Sequence, residues 1–245
     1  MLALYLDDSK DDGDASRKIP KMQAMAGYIG HVDQWDEYEL AAKGVYDLFN
    51  VEVLHSLQLH KTKGEFRGWS GKKKGYFVGA LYGHLKLRAL SGFAFALPSD
   101  VYNDTKRRDQ VNAQISPVGF CYNALIDKVL KHERIGPLAR AEGISVFVET
   151  GNANNADIQR SHDALSGQYP EYPGIIRQLG FIDKDSCKAV QIADFLAFNF
   201  RRSMQRCELG APKYEPLLDG VVRHLEHYGT VATAFHRAPK KGSRA

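Results

Sequence analysis

Three acidic residues that lie far apart in the sequence occupy positions from which a fold could bring them together. Asp7 and Glu149 each end an apolar segment with the alternation of a β-strand, and strand ends are where α/β sheets place their sites. Asp194 lies in an apolar helical segment, on the same face as Gln191. Clustered carboxylates raise one another's pKa unless a cation neutralises them, and Mg²⁺ and Mn²⁺ prefer carboxylate oxygens. If the two strands are neighbours, we expect a divalent-metal site.

Two simpler explanations of these acids stay open. Acidic residues often end strands because loops are polar. Gln191 and Asp194 also fit a narrow solvent-facing stripe on an otherwise apolar helix. If Asp194 is covered instead, it needs a cation, a metal or hydrogen-bond donors.

Two histidines lie on or beside a segment that we predict to be a strand over 51–59. His55 and His60 are five residues apart, so strict alternation places them on opposite faces and they are not a ligand pair. His55 is either an outer metal ligand or proton carrier, or a hydrogen-bonded core residue.

A basic stretch follows this predicted strand. It has six cations against Glu65 alone, and it also contains two aromatic residues. A solvated turn is the simpler explanation, but a mobile basic loop beside the acids would suit contacts to phosphates and stacked bases of DNA or RNA. The candidate nucleic-acid-binding residues are Lys61, Lys63, Arg67, Trp69, Lys72, Lys73 and Lys74.

The elements that would position these residues alternate between strands and helices, which is typical of an α/β domain. The predicted strands are 2–7, 23–30, 51–59, 92–97, 144–149 and 175–182, the first two as a hairpin. The predicted helices are 33–49, 72–88, 117–131, 152–165, 186–206 and 214–228, with a polar connection over 102–110. No linker divides them, so we expect one domain over 1–235 and a flexible basic tail over 236–245.

The composition narrows the function classes. The chain has 245 residues, 44% of them hydrophobic, which excludes a disordered chain, collagen and a coiled coil. The formal net charge of +4 equals the charge of the four cations in 236–245, so the body is neutral, unlike most high-affinity nonspecific duplex binders. Three scattered cysteines and no apolar stretch near 18 residues favour a cytoplasmic protein without a membrane segment.

Four segments spread over nearly the whole chain carry a family pattern. They are Tyr5-Leu6-Asp7-Asp8-Ser9, then Leu54-His55-Ser56 through Gly64-Glu65-Phe66-Arg67-Gly68-Trp69, then Val148-Glu149-Thr150-Gly151-Asn152, and Ser186 to Ala197 with Gln191-Ile192-Ala193-Asp194. In this order they resemble the bacterial and phage proteins grouped as domain of unknown function 3800. Gln58 departs from the family, which has an Asp three residues after its His.

The resemblance implies an RNase H-like fold, with a central mixed β-sheet flanked by helices. It implies a metal-dependent nuclease in which Asp7 bridges one or two Mg²⁺ or Mn²⁺ ions, with Glu149 and Asp194 as flanking ligands. It also implies supporting roles for Asp8 and His55 and an orienting role for Gln191 towards Asp194. Phage defence and a toxin-like system are biological roles that fit such a protein.

Two other functions stay open. The first is a catalytically silent RNase H-like subunit that recognises nucleic acid or a protein partner. The second is a metal-assisted phosphoester hydrolase with a small substrate.

Overall fold

The computed structural model describes residues 1–14, 16, 19–108, 115–151, 154–168, 171–208 and 233–234. Its strands are β1 (Leu2–Asp11), β2 (Met22–His31), β3 (Ser91–Pro98), β4 (Ile144–Glu149), β5 (Ile176–Ile182) and β6 (Thr233–Ala234). Its helices are α1 (Val32–Phe49), α2 (Ser56–Lys61), α3 (Gly71–Leu87), α4 (Ser99–Arg108), α5 (Pro117–Lys131), α6 (Ile135–Glu142), α7 (Asn155–Gln168), α8 (Tyr172–Ile175) and α9 (Lys188–Glu208). Short 3₁₀ turns cover Gly64–Phe66 and Lys184–Ser186.

One mixed β-sheet lies at the centre of the fold. Five strands follow the order β5-β4-β1-β2-β3, and the two-residue β6 pairs with the outer side of β3. β1 and β2 form the predicted antiparallel hairpin, whereas β4 and β5 extend the sheet from β1 in parallel. Gly27 faces Leu6 in the hairpin, and a Cβ there would lie 1.8 Å from the Tyr5 carbonyl oxygen. Only glycine therefore fits this close pairing.

Helices cover both faces of the sheet, which confirms the predicted α/β class. α1, α3 and α9 form one layer, which we call the α9 layer, around Trp35 and Phe195. α5, α6 and α7 form the other, the α5 layer, around Leu125 and Ile158. Because both faces are covered, β1 and β2 are apolar on both sides, as the sequence of the opening strand indicated.

Several predicted elements are wrong. Residues 51–55 are irregular and 56–61 form α2, so the strand over 51–59 does not exist. Short apolar runs fit a helix as well as a strand. The basic stretch is not one loop, because the 3₁₀ turn and the first turn of α3 hold much of it. Most of the polar connection over 102–110 belongs to α4, and α6 was not predicted.

The other predicted strands and helices occur with small shifts at their ends. The predicted helix 214–228 and the basic tail 236–245 lie outside the described residues, and the single domain over 1–235 stays a prediction. No helix in the described ranges is long and apolar enough to cross a membrane.

Candidate acidic site

The parallel pairing of β1 with β4 brings Asp7 and Glu149 together. The register places Leu6 beside Val148, so Asp7 and Glu149 come next at the same level of the sheet. Side chains alternate between the two faces of a sheet, and Asp7 and Glu149 each follow one member of this pair, so both side chains point into the α9 layer. The condition for this cluster is therefore met, because β1 and β4 are neighbours, although β1 continues past Asp7 to Asp11.

α9 supplies the third carboxylate. Asp194 Oδ2 accepts hydrogen bonds from the Ser56 backbone N–H at 3.0 Å and from the Ser56 hydroxyl at 2.7 Å. These donors fix the carboxylate at the start of α2. Gln191 is fully buried, and the Asp194 side chain is only 16% exposed. The explanation of these two residues as a solvent-facing stripe is therefore wrong.

All three carboxylates converge on the ammonium of Lys184, which sequence reasoning missed. Lys184 Nζ lies 3.1 Å from Glu149 Oε2, 3.1 Å from Asp194 Oδ2 and 3.5 Å from Asp7 Oδ2. We call the three carboxylates the acidic centre. The position of Lys184 offered one signal: β5 runs parallel to β4 and ends opposite Glu149, so the residues that follow β5 emerge at the same edge.

Burial and like charge dominate the electrostatics of the acidic centre. The pKa of Asp7 is raised well above its usual range, first by burial and then by the nearby Asp194 and Glu149 charges, against the opposing effect of Lys184. Burial works to lower the pKa of Lys184, but the charges of the three carboxylates outweigh it and the pKa is raised. One ammonium therefore leaves the centre with excess negative charge.

Asp8 does not join the acidic centre, although it follows Asp7 directly. Its side chain accepts hydrogen bonds at 2.9 Å from Gln23 Nε2 and from Asn154 Nδ2. Burial raises its pKa, and these two donors oppose the shift. Successive strand residues point to opposite faces, so the predicted supporting role of Asp8 can act only across the sheet, through its charge.

Gln191 does not bond to Asp194, contrary to the predicted orienting role. Its Oε1 accepts from the Leu54 N–H at 2.9 Å, and its Nε2 donates to the Lys184 carbonyl at 2.7 Å. Gln191 thus joins the segment before α2 to the 3₁₀ turn that bears the lysine. It positions Ser56 and Lys184, and it acts on Asp194 only through them.

The segment 51–55 is also held from its outer side. Glu65 accepts from the Glu52 N–H at 2.6 Å and from the Val53 N–H at 3.3 Å. Glu65, in the Gly64-Glu65-Phe66 segment, thus has a structural role. His55 occupies the N-cap position of α2 with a half-buried side chain, and no hydrogen bond joins its imidazole to the acidic centre among the described residues.

The basic stretch divides into buried and exposed residues. Lys74 is buried, and its ammonium donates to Thr62 Oγ1 at 2.6 Å and to the His60 carbonyl at 3.4 Å, closing the end of α2. Trp69 packs between Phe66 and Phe77, with Lys73 Nζ 4.1 Å above its ring. Lys74 is thus buried and bonded within the fold, contrary to its predicted contact with nucleic acid. Trp69 is only half-buried, and its predicted contact with nucleic acid stays a prediction. The exposed members are Lys61, Lys63, Arg67, Lys72 and Lys73.

The acidic centre fits a divalent cation in chemistry but not yet in spacing. Mg²⁺ holds oxygen ligands at about 2.0–2.1 Å, so the carboxylate oxygens, now 3.1–3.5 Å from Lys184 Nζ, would have to approach by roughly 1–1.5 Å. Accordingly, no group of three or more His, Cys, Asp or Glu in the described part of the chain is arranged to hold a metal ion.

Comparison with known proteins leaves the geometry as the main guide to function. No protein-family model matches the chain, and a search of curated proteins returns no match. The resemblance to the domain of unknown function 3800 family therefore stays a prediction.

Proposed function

We propose that the protein is a metal-dependent nuclease of the RNase H-like class that hydrolyses phosphodiester bonds in DNA or RNA. One observation carries the proposal: two adjacent parallel strands and a helix packed on them direct Asp7, Glu149 and Asp194 at one point. The mixed sheet with helices on both faces and the family resemblance support the same class. A role in phage defence or in a toxin-like system, in the cytoplasm, belongs to this proposal.

The acidic centre would hold one or two Mg²⁺ or Mn²⁺ ions, which supply an activated water and stabilise the leaving oxygen. Asp7, from the central strand, would serve as the bridging ligand, and Glu149 and Asp194 as the flanking ligands. Ser56 fixes the orientation of Asp194 through two hydrogen bonds. Asp8 adds negative charge from the opposite face of the sheet, and His55 lies beside Ser56 as an outer group.

The exposed cations would hold a bound strand beside the acidic centre. α2 begins at Ser56, which bonds to Asp194, and ends at Lys61, about 8 Å further along the helix axis. Lys72 and Lys73 lie in the first turn of α3, where the helix dipole disfavours cations. A bound phosphate would relieve this arrangement, because helix N-termini and lysines both attract anions.

Metal titration tests the proposal directly. We expect Mn²⁺ and Mg²⁺ to bind the wild-type protein, to raise its Tm and to support cleavage of at least one of a single strand, a duplex or a hybrid. Glu149→Gln and Asp194→Asn should each weaken binding at least tenfold, because each removes one charged ligand. Asp127→Asn is the control, since Asp127 pairs with Lys131 on an exposed helix face. Absence of metal binding by the wild type would refute the proposal.

Lys72 and Lys74 provide a matched pair for the nucleic-acid surface. Lys72→Met should weaken single-strand binding and reduce its salt dependence by about one released counterion, whereas Lys74→Met should leave both unchanged. Lys74→Met should instead lower the free energy of unfolding by about 1–3 kcal/mol, because Thr62 and the His60 carbonyl lose a charged donor. Salt-dependent anisotropy and urea denaturation measure the two effects. Equal effects of both variants on binding would contradict this division.

One observation favours the alternative of a catalytically silent binding subunit. Lys184 already gives each carboxylate a cationic partner, as in a centre that has no need of metal. That alternative predicts nucleic-acid or protein binding that is identical in Mg²⁺ and in chelator, with no cleavage under either condition.

A further inference from the structure

Lys184 makes a set of contacts that an ordinary surface lysine does not make. It is 8% exposed, and its nitrogen meets carboxylates from β1, β4 and α9. An ammonium has three N–H donors, and the acidic centre offers three carboxylates at 3.1–3.5 Å. The lysine thus occupies the point at which a divalent cation would meet the same oxygens.

The backbone of Lys184 is held by hydrogen bonds, whereas its side chain can rotate towards solvent. Gln191 Nε2 donates to the Lys184 carbonyl, and Asp183 Oδ1 accepts from the Asp185 N–H within the same turn. The side chain above this turn is a four-carbon stem with rotatable bonds. Glu149 and Asp194 have side chains that are 21% and 16% exposed, so the outer side of the centre opens to solvent. The ammonium can therefore leave while the turn stays in place.

We propose that Lys184 is the resident counter-ion of the acidic centre, and that a divalent cation binds by displacing its ammonium. The inference rests on the proposed metal site. The ammonium brings one positive charge to three carboxylates, so it neutralises the centre only in part, and a divalent cation neutralises more. Because the ammonium is tethered, it competes at a fixed and high effective concentration. Lys184 thus sets the metal concentration at which the centre fills.

Calorimetric titration of Mn²⁺ into the full chain tests the exchange. Lys184→Met should bind Mn²⁺ at least about tenfold more tightly than the wild type, since no internal cation has to be displaced. In chelator its Tm should fall, because the carboxylates lose their partner, and Mn²⁺ should restore it with a larger shift than in the wild type. Lys184→Gln, which keeps hydrogen-bond donors without the charge, should also bind Mn²⁺ more tightly than the wild type. It replaces Lys184→Met in the test if Lys184→Met does not fold.

Lys188→Met is the matched control. Lys188 belongs to the same chain segment, but its ammonium donates to the Glu52 carbonyl and lies over the Tyr46 ring. Its removal should leave the Mn²⁺ affinity at the wild-type value. If Lys188→Met binds Mn²⁺ more tightly than the wild type, the effect comes from general surface charge, and the inference is overturned.

The outcomes separate this inference from the proposed function. Equal or weaker Mn²⁺ binding by Lys184→Met, with measurable binding by the wild type, overturns the exchange and leaves the metal site standing. Binding by Lys184→Met alone shows that the ammonium blocks the wild-type centre instead of exchanging with a metal, which overturns both the exchange and the proposed function. Absence of binding by the wild type and by both Lys184 variants overturns the proposed metal site and the exchange together.

Discussion

Asp7→Asn is expected to abolish Mn²⁺ binding at the acidic centre and to lower metal-dependent cleavage about 10³-fold. Asp7 lies on the central strand and faces the same ammonium as the other two carboxylates, and a neutral amide is a poor ligand for a divalent cation. Loss of several kcal/mol of charge stabilisation, at 1.36 kcal/mol for each factor of ten, gives this magnitude. The substitution is nearly isosteric, since Asn can still accept from the Asp8 N–H as Asp7 Oδ1 does at 2.8 Å. Calorimetry and single-turnover rates measure the two losses.

The same variant is expected to be more stable than the wild type in chelator. Burial raises the pKa of Asp7, so the stability that comes from its protonated form is complete below the ordinary carboxyl pKa and is lost as pH rises through the raised value. Asn cannot ionise, so this loss disappears. The gain of the variant should grow with pH across that window by up to about 1.4 kcal/mol per pH unit. Urea denaturation from pH 4 upwards, in roughly unit steps, measures it.

Asp8→Asn is the control for the metal-binding effect of Asp7→Asn. Asp8 is the next residue on the same strand, also with a raised pKa, but it bonds to Gln23 and Asn154 on the opposite face. Its variant should keep Mn²⁺ binding within about tenfold of the wild type, because only a more distant charge is lost. Equal loss of metal binding by both variants would show that the two faces of β1 do not divide the roles.

The sequence predicts the approach of Asp7 to Glu149 on the condition that their two strands are neighbours. Alternation over Ile144–Glu149 fixes which side chains share a face, and a short run with both faces apolar indicates a central strand at the amino terminus. The carboxylate of Asp194 on an apolar helix indicates a buried polar group that requires partners. The sequence identifies these three residues because the periods of strands and helices, and the burial that they imply, leave patterns in the local sequence.

Lys184 could not be found in the same way. It follows β5, and its position depends on β5 lying beside β4, which is a pairing between distant segments that leaves no local period. Its environment is set by three residues at sequence separations of 10 or more, so a lone lysine in a polar connection is typical of a solvated side chain. Only the tertiary structure identifies it as a buried cation.

The predictions for Asp8 and Lys74 differ from the structure for another reason, because the sequence contains a signal at each position. Asp7 and Asp8 are consecutive on a strand and must point to opposite faces, so Asp8 can support the acidic centre only through its charge. The prediction for Lys74 groups it with its neighbours by composition. Three and four residues are the helical spacings that share a face, and Lys74 is three residues before Phe77 and four before Val78, both buried on α3. Composition alone overrode that pattern.

Gln191→Leu is expected to lower the free energy of unfolding by about 1–4 kcal/mol. Gln191 is fully buried, and its removal leaves the Leu54 N–H without its partner, at a cost of about 1–3 kcal/mol. The Lys184 carbonyl loses one donor but keeps the Cys187 N–H, so this second loss is at most about 1 kcal/mol. Leucine fills most of the volume, so the loss reports the two hydrogen bonds rather than a cavity. The segment that carries Ser56 and the turn that carries Lys184 are both released, so Mn²⁺ affinity should change as well. Urea denaturation in chelator and calorimetry measure these effects.

Asn199→Leu separates the role of Gln191 as a bridge from the general cost of removing a buried amide. Asn199 is also buried on α9, but its Nδ2 donates to the Phe195 carbonyl four residues earlier, within the same helix. Its substitution should cost at most about 1 kcal/mol, because that carbonyl already lies in the helical hydrogen-bond ladder. It should leave Mn²⁺ affinity unchanged, since no segment of the acidic centre depends on it. Equal stability losses in the two variants would show that Gln191 does not join the two segments in solution.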